Sequence, residues 1–410
     1  MYAVELSCLD CEWKTGLGNL YACENCGYSL DVVYNYGKID KDDFRTALEN
    51  YRSVWDFKVM LPVKNCENIV TLQEGNTPLI ESQRIGKDMG INLYLKDESR
   101  NPTASFKDRP NTVGISTAKD HGLNIVTIAS SGNAGSSLSA FAAKAGMKCY
   151  VFIPEKTPVA KVIQTAIHGA RIIKVRGHYS NSFNMANSAA EKYNWVNMTS
   201  TYLNPYTVEG DKTIAYEICA QLGGKTPDWI VVPISAGAML SGIYKGFKEM
   251  SAFGFSDGNL PRMIGVQAKG CSPITGAFEK GLETVEAFEN PNSIAGAICD
   301  PLIGYSQDGT RTLRVIRKSG GVGISVSDES ITKCQRELAE QEGIFCELAS
   351  AASLSAVYGL LEKGVIEKGK SVVAILTAHG LKGVEGVANN IGSDVDVISS
   401  LSELETLLGK

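Results

Sequence analysis

Several features are missing from this sequence of 410 residues, and their absence excludes whole classes of protein. There is no strong net charge, because 40 Lys and Arg residues nearly balance 45 Asp and Glu residues. Nothing therefore draws the whole chain to nucleic acid or to an anionic membrane surface. The first residues include neither a basic segment nor a long apolar run, so we expect neither a signal peptide nor a membrane anchor. A cytoplasmic location is the expectation that follows.

A disulfide framework is also missing, although the chain has 11 cysteines. Such frameworks are typical of small secreted domains, and this chain is long and has 44% hydrophobic residues, enough for two or three ordinary globular domains. Several cysteines lie singly among apolar or helical residues and are predicted to be small buried hydrophobes. These are Cys149, Cys219, Cys271, Cys334 and Cys346.

Two Cys-x-x-Cys pairs lie near the N-terminus and are joined by a short loop. They are formed by Cys8, Cys11, Cys23 and Cys26. Two pairs of this kind can converge on one tetrahedral Zn²⁺ through four thiolates. We therefore predict a zinc-ribbon-like hairpin with a structural zinc ion, and four unbound thiols in a small hairpin are the alternative. A redox role is disfavoured because no βαβ pattern surrounds either pair.

From about residue 111 onward, short β-rich runs alternate with helical segments. Residues 125–129, 149–153 and 172–175 are predicted strands, and residues 229–233 and 371–376 continue the pattern. Strands separated by helices predict an α/β fold with parallel sheets covered on both faces. Ligands of such folds bind at the carboxyl ends of the strands.

One lysine stands at a position suited to covalent chemistry. Lys107 follows a strand-like run and a turn closed by Pro102, near the start of a helix. A lysine held there, facing a cavity, becomes nucleophilic because desolvation lowers its pKa. On this segment alone the simpler interpretation is an exposed lysine, with Asp108 and Arg109 as surface charges.

Two further junctions lie between a strand and a helix, where backbone N–H groups and the helix dipole favour anions. The first is made of Ser130, Ser131, Gly132, Asn133 and Ala134, and an ordinary helix cap is its alternative. The second is made of Ser235, Ala236, Gly237, Ala238 and Met239. Because its alanines and glycine are small and Ser235 adds a hydroxyl donor, it is suited to cradle a phosphate group.

The lysine segment resembles the motif of the threonine synthase and serine/threonine dehydratase group of pyridoxal-phosphate (PLP) enzymes. That motif reads Asn-Pro-Thr-Gly-Ser-Phe-Lys-Asp-Arg, and residues 101–109 depart from it only at Ala104. The Ser-Ser-Gly-Asn string and the Thr-Ala-His-Gly-Leu-Lys string at residues 377–382 resemble the same group. The resemblance implies a tryptophan-synthase-β-like fold with two three-layer parallel-sheet domains, and a homodimer.

The resemblance also implies the roles of individual residues. Lys107 would be the catalytic Schiff-base lysine, and Thr377 would face the pyridine nitrogen of PLP. Residues 130–134 would bind the substrate carboxylate, with Asn133 also bonded to the cofactor, and residues 235–239 would bind the cofactor phosphate. His379 is expected to be a loop histidine with a structural hydrogen bond. The implied partner is a small amino-acid substrate, with neither nucleic acid nor membrane.

The implied domains are a ribbon and arm over 1–35, a large PLP domain over 36–120 and 205–400, and a small α/β domain over 121–204. Residues 31–70 are mixed and polar and are predicted to be a wrapping arm.

One segment departs from the group in a way that bears on the substrate. Where relatives have Asn-Pro-x-Arg-x-Glu-Gly-Gln-Lys-Thr, this chain has Thr207 in place of the phosphate-binding Arg and Asp211 in place of Gln. The first prediction is a threonine synthase that converts O-phosphohomoserine and water into threonine and phosphate. The alternatives are PLP-dependent β-elimination or β-replacement on serine, threonine or an activated relative, favoured by Thr207, and a non-catalytic binding protein.

Overall fold

A computed structural model describes residues 1–177, 179–384 and 396–409 of the chain. Its strands are β1 (Ala3–Cys8), β2 (Lys14–Thr15), β3 (Leu30–Tyr34), β4 (Leu79–Glu81), β5 (Asn92–Asp97), β6 (Ile125–Ala129), β7 (Lys148–Pro154), β8 (Arg171–Val175), β9 (Val196–Asn197), β10 (Trp229–Pro233), β11 (Arg262–Ala268), β12 (Val322–Val326) and β13 (Ser371–Leu376).

Its helices are α1 (Lys41–Asn50), α2 (Ile85–Met89), α3 (Asp108–Asp120), α4 (Asn133–Ala145), α5 (Val159–Ile167), α6 (Tyr179–Tyr193), α7 (Pro205–Asp211), α8 (Thr213–Gln221), α9 (Ala238–Phe253), α10 (Pro273–Glu279), α11 (Ser306–Lys318), α12 (Asp328–Glu342), α13 (Leu348–Glu362) and α14 (Leu401–Leu407). Short 3₁₀ turns lie at Tyr36–Lys38, Val54–Met60, Cys66–Asn68, Glu98–Arg100, Gly296–Ile298 and Gly380–Gly383.

The strands form three sheets. A small antiparallel sheet has the order β2-β1-β3, a six-stranded sheet has the order β12-β11-β10-β13-β5-β4, and a four-stranded sheet has the order β8-β7-β6-β9. All neighbours in the two larger sheets are parallel except β4, which runs antiparallel to β5. The predicted α/β fold with parallel sheets is confirmed.

The central strands of the six-stranded sheet are apolar throughout because both faces of the sheet are covered. In β10, Ile230 and Val232 pack into one hydrophobic cluster while Trp229 and Val231 pack into another. Strand β13 alternates in the same way, with Val373 in the first cluster. Burial on both faces explains why these strands appear in the sequence as continuous apolar runs.

The register of the sheet places the carboxyl ends of β5 and β13 side by side. Leu376, the last residue of β13, is opposite Asp97, the last residue of β5. The chain leaves β5 towards Lys107 and leaves β13 at Thr377, so the two segments start at one edge of the sheet. This edge carries the candidate site.

Two expectations from the sequence concern cysteines and membranes. The five cysteines predicted to be buried hydrophobes are buried, and no cysteine in the described part of the chain forms a disulfide. Among the helices that the structure describes, none has both the length and the apolarity needed to cross a bilayer. The domain bounds stay a prediction, and residues 385–395 of the predicted large domain lie outside the described residues.

Candidate active site

Lys107 occupies the N-cap position of α3, immediately after the loop that follows β5. Its Nζ donates a hydrogen bond to Ser200 Oγ and lies 4.4 Å from the centre of the Phe106 ring. The N–H of Phe106 donates to the carbonyl oxygen of Thr377 at 2.9 Å, which ties the lysine loop to the end of β13. Burial lowers the pKa of the Lys107 amine, and three carboxyl groups partly offset this effect. Those carboxyl groups belong to Asp211, Glu347 and Asp300.

The interpretation of Asp108 and Arg109 as surface charges is wrong, because both side chains are fully buried. Asp108 accepts hydrogen bonds from the N–H and hydroxyl of Thr103, at 2.7 and 2.6 Å, and from Ser137 Oγ at 2.6 Å. These bonds close the loop around Lys107. A buried carboxylate is tolerated here because its oxygens are hydrogen-bonded.

The Arg109 guanidinium lies between two buried carboxylates. Its Nε donates to Glu98 at 2.7 Å, and its Nη1 donates to Glu217 at 2.6 Å. Lys96 Nζ also contacts Glu217, at 2.7 Å. Planar donors of arginine match carboxylates in pairs, which explains why arginine rather than lysine holds this position. The network fixes the first turn of α3 behind Lys107.

Ala104 adopts a left-handed conformation with φ of 62°, at the position where the resembling motif has glycine. A Cβ in this region costs roughly 1–2 kcal/mol, whereas glycine loses somewhat more chain entropy on folding. We expect Ala104→Gly to raise the free energy of unfolding by ~0.5–1 kcal/mol, measured by urea denaturation. Ala47→Gly, within α1, should lower it by a similar amount. An Ala104→Gly protein less stable than the native chain would contradict this account.

Glu347 connects two predicted site residues and was not foreseen from the sequence. Its Oε1 accepts from Thr377 Oγ1 at 3.0 Å, and its Oε2 accepts from Asn133 Nδ2 at 3.0 Å. Thr377 Oγ1 also lies 2.8 Å from Ser350 Oγ. Burial raises the pKa of the Glu347 carboxyl. The sequence feature that could have identified Glu347 is its position as a single acidic residue directly after the apolar run Ile344-Phe345-Cys346.

The predicted carboxylate-binding residues 130–134 follow β6 and begin α4. Gly132 is the N-cap, and no side chain in the described part of the chain caps the helix. Ser130 Oγ accepts from the N–H of Gly132 at 3.3 Å. Asn111 Nδ2 donates to the carbonyl oxygen of Ala134 at 3.4 Å, so the start of α4 lies against α3. The structure thus brings this junction to the helix that Lys107 caps.

Of residues 235–239, the first three lie in the turn between β10 and α9 and the last two begin α9, and Gly237 is the N-cap residue. Its φ is 96°, and a Cβ added there would lie 2.3 Å from Thr312 Oγ1. Carbonyl groups of the turn are held by side chains, since Thr312 Oγ1 donates to Ala236 and the Tyr202 hydroxyl donates to Gly237 at 3.0 Å. Among the described residues no side chain caps the N-terminus of α9, so its first N–H groups are available to an anion.

Two residues near the C-terminal end of β13, His379 and Lys382, make structural contacts beside the site. Lys382 Nζ donates to the carbonyl oxygen of Thr103 at 2.7 Å and to Gln164 Oε1 at 2.7 Å, so it links the lysine loop to α5. His379 Nδ1 accepts from the N–H of Leu381 at 3.1 Å, and its ring packs against Phe345. The expected structural hydrogen bond of His379 is confirmed.

The four N-terminal cysteines are close together, with all four Sγ atoms within 4.8 Å of one another. Cys8 Sγ lies 3.4 Å from Cys26 Sγ, and Cys11 Sγ lies 3.6 Å from Cys23 Sγ. Zinc–sulfur bonds of about 2.3 Å in a tetrahedron place the sulfur atoms about 3.8 Å apart. The cluster therefore has the donor type and dimensions that zinc requires.

Comparisons with known proteins agree with this geometry. A family model described as pyridoxal-phosphate dependent enzyme matches residues 70–378. A threonine synthase of Methanocaldococcus jannaschii is 39% identical over 392 residues, which cover 95% of this chain and 95% of that protein. A threonine synthase of Methanosarcina acetivorans is 38% identical over 411 residues, covering 99% of each.

Solved structures with a similar fold are more distant in sequence. An L-serine ammonia-lyase of Rhizomucor miehei has a TM-score of 0.67 and 21% identity, covering 78% of this chain and 98% of that one. A maize serine racemase has a TM-score of 0.65 and 20% identity, covering 78% and 92%. At these identities the similarity shows the fold alone.

Proposed function

We propose that this chain, which belongs to the family of pyridoxal-phosphate-dependent enzymes, converts O-phosphohomoserine and water into threonine and phosphate. It is similar to threonine synthases over nearly its whole length. The observation that carries this proposal is a half-buried lysine, Lys107, at the start of a helix whose loop is bonded to Thr377 and whose first turns lie against the junction that contains Asn133.

The residues at this edge fit pyridoxal phosphate. Lys107 would hold the cofactor covalently, Thr377 would contact the pyridine nitrogen, and Asn133 would contact the ring oxygen. The turn at Gly237 supports a phosphate site, because α9 begins there without a side-chain cap and a Cβ would clash with Thr312. When bound, the cofactor supplies an electron sink for the charge left after the α proton is removed.

The protein's own groups account for binding and proton transfer. The N–H groups at the start of α4, with the hydroxyls of Ser130 and Ser131, would bind the substrate carboxylate and so fix the α carbon near Lys107. Because burial lowers its pKa, the Lys107 amine would give up its proton more readily than an exposed lysine, which favours a role as the base that takes the α proton. Glu347 would hold Asn133 and Thr377 in place through its two hydrogen bonds.

A second candidate function is favoured by Thr207. Its hydroxyl donates to the carbonyl oxygen of Asn204 at 2.7 Å, and its methyl group would lie 3.2 Å from a Cβ added at Gly114. The side chain is thus used in packing between α7 and α3 and offers no cation to a substrate phosphate. An amino acid with an uncharged leaving group, such as serine or threonine, would not need one. The second candidate is therefore β-elimination or β-replacement on such a substrate.

A single assay separates the two functions. The PLP-loaded protein would be given O-phosphohomoserine, serine and threonine in separate reactions, and phosphate, threonine and ketoacid would be quantified. Phosphate release with an equal amount of threonine supports the synthase. Ketoacid from serine or threonine, without phosphate release from O-phosphohomoserine, would overturn it in favour of the second function.

We also propose that the cysteine cluster is a zinc ribbon with one structural Zn²⁺. The hairpin contacts α7, since the Tyr206 hydroxyl donates to the carbonyl oxygen of Gly18 at 3.0 Å. We expect Cys23→Ser to lose the zinc and to lower the melting temperature, with KM unchanged. Zinc content would be measured by elemental analysis, with Cys66→Ser, at an exposed single cysteine, as the control. Equal zinc content in the native and Cys23→Ser proteins would exclude this site.

The remaining predictions are a homodimer, a cytoplasmic location and the domain division given above. All three remain proposals, and the homodimer and the domain division rest on the resemblance. Light scattering of the purified protein tests the first, because a homodimer has twice the mass of the chain.

A further inference from the structure

Ser200 provides the hydrogen-bonding side chain beside the Lys107 amine. Lys107 Nζ donates a hydrogen bond to Ser200 Oγ. In the described part of the chain no carboxylate oxygen lies within 4.0 Å of this nitrogen, although the carboxyl groups of Asp211, Glu347 and Asp300 face it from a greater distance. An uncharged hydroxyl is therefore the group that holds the amine in the structure.

The segment that carries Ser200 runs from β9 to α7, and its first residues are bonded to β6. The N–H of Met198 donates to the carbonyl oxygen of Thr127 at 2.8 Å. Thr199 Oγ1 accepts from the N–H of Ala129 at 3.1 Å. Ala129 is the last residue of β6 and precedes the junction proposed to bind the substrate carboxylate. Ser200 thus follows directly after a residue that is bonded to the base of that junction.

Beyond Ser200 the same segment is bonded to the turn before α9. Tyr202 is fully buried, and its hydroxyl donates to the carbonyl oxygen of Gly237 at 3.0 Å. The N–H of Tyr202 donates to Asp308 Oδ2 at 3.1 Å, which fixes the backbone two residues after Ser200. Gly237 is the N-cap of the helix proposed to bind the cofactor phosphate. Ser200 is therefore held between the two proposed anion sites, with its hydroxyl on the lysine.

A serine hydroxyl can hold an amine in both of its protonation states. It accepts a hydrogen bond from an ammonium group, and it donates one to the lone pair of a neutral amine. A carboxylate in the same place would strongly favour the ammonium, because opposite charges attract at short range. A reacting lysine has to pass between the two states, so the contact with Ser200 suits that use better than an ion pair does.

We propose that Ser200 is a further catalytic residue, which holds the Lys107 amine in place whenever the lysine is not joined to the cofactor. This role rests on the proposed function in taking Lys107 as the reacting lysine. A lysine side chain is long and flexible, so an unheld amine would sample many positions. Bonded to Ser200, the amine stays beside the junction for the substrate carboxylate and meets the α proton in one geometry. Ser200 keeps its own proton throughout.

The first test measures the acidity of Lys107 without turnover. Cofactor-free protein would be labelled briefly with acetic anhydride across a pH series, and the peptide containing Lys107 would be quantified by mass spectrometry. Ser200→Ala removes the hydroxyl, and Ser200→Thr keeps it. Ser182→Ala is the control, because the buried Ser182 hydroxyl has no hydrogen-bond partner in the described part of the chain.

In Ser200→Ala we expect the labelling midpoint of Lys107 to fall by roughly 0.5–1 pH unit. The ammonium loses a charge-assisted hydrogen bond, which is stronger than the bond that the neutral amine loses, so the charged form is destabilised more. Ser200→Thr retains the hydroxyl and should keep the native midpoint. Ser182→Ala should keep it as well.

The PLP-loaded protein gives a second readout, with the substrate that the assay above identifies. Ser200→Ala should lower kcat roughly 10-fold or more, because a displaced amine meets the α proton in the right geometry less often. KM should change by less than about 2-fold, since the hydroxyl acts on the lysine rather than on the substrate. Ser200→Thr should recover most of the lost kcat.

An unchanged Lys107 midpoint in Ser200→Ala would overturn the proposal. A raised KM with the native kcat would also overturn it, because Ser200 would then serve substrate binding. Equal losses of kcat in Ser200→Ala and Ser200→Thr would do the same, since they would show that the hydroxyl is not the group that matters. Failure of PLP to protect Lys107 from acetylation would instead count against the proposed function, and the labelling of cofactor-free protein would still decide the role of Ser200.

Discussion

Lys107→Ala is expected to lose covalent cofactor binding and to reduce kcat/KM by at least ~10³-fold. The side chain would be both the covalent attachment point and the base for the α proton, and a positioned base alone contributes roughly 10²–10⁴-fold. The measurements are the absorbance of the protein after incubation with PLP and the rate of product formation. The variant should remain folded, because the Lys107 amine contacts only Ser200 and the Phe106 ring among the described residues.

Lys119→Ala is the matched control, since Lys119 lies in the last turn of the same helix. It should keep the absorbance and the rate of the native protein. A Lys107→Ala protein that retains covalent PLP and more than a tenth of the native kcat/KM would show that another lysine carries the chemistry.

Arg109→Met is expected to lower the free energy of unfolding by about 3–5 kcal/mol. The substitution leaves the carboxylates of Glu98 and Glu217 buried, with Lys96 as the remaining cation of the network. Because removing one partner strands the other charges in a low dielectric, the loss should far exceed that of a surface ion pair. Urea denaturation followed by circular dichroism would measure it.

Arg45→Met is the comparison, because Arg45 pairs with Asp42 at 2.6 Å on an exposed surface. Exposed pairs contribute little, so this variant should change the free energy of unfolding by less than about 1 kcal/mol. Equal losses in Arg45→Met and Arg109→Met would mean that the buried network does not stabilise the fold as described.

Much of the fold could be predicted because its strands are short and strongly apolar. The runs at 125–129, 229–233 and 371–376 coincide with β6, β10 and β13. Parallel strands that are buried on both faces leave a clear sequence signal, and the helices between them fix the direction of the connections. Because strands and helices alternate along the chain, the polar junctions after β6, β10 and β13 lie at carboxyl ends of strands. The candidate site lies at these ends.

The features of the fold and site that could not be predicted depend on tertiary contacts, which leave no local signal in the sequence. The prediction of a wrapping arm over residues 31–70 did not include α1, which Asp40 caps by accepting from the N–H groups of Asp42 and Asp43. From the sequence Arg109 is interpreted as a surface charge, because its contacts with Glu98 and Glu217 form only in the folded chain. Glu347 was missed for the same reason, since Asn133 and Thr377 meet it only in the folded chain.

The measurement that tests the central claim most directly is the location of the cofactor on the chain. The PLP-bound native protein would be reduced with borohydride, digested, and analysed by mass spectrometry for the lysine that carries the reduced pyridoxyl group. The account predicts modification of Lys107 at about one group per chain. Modification of a different lysine, such as the buried Lys96 or Lys212 or the half-buried Lys382, with Lys107 unmodified, would contradict it.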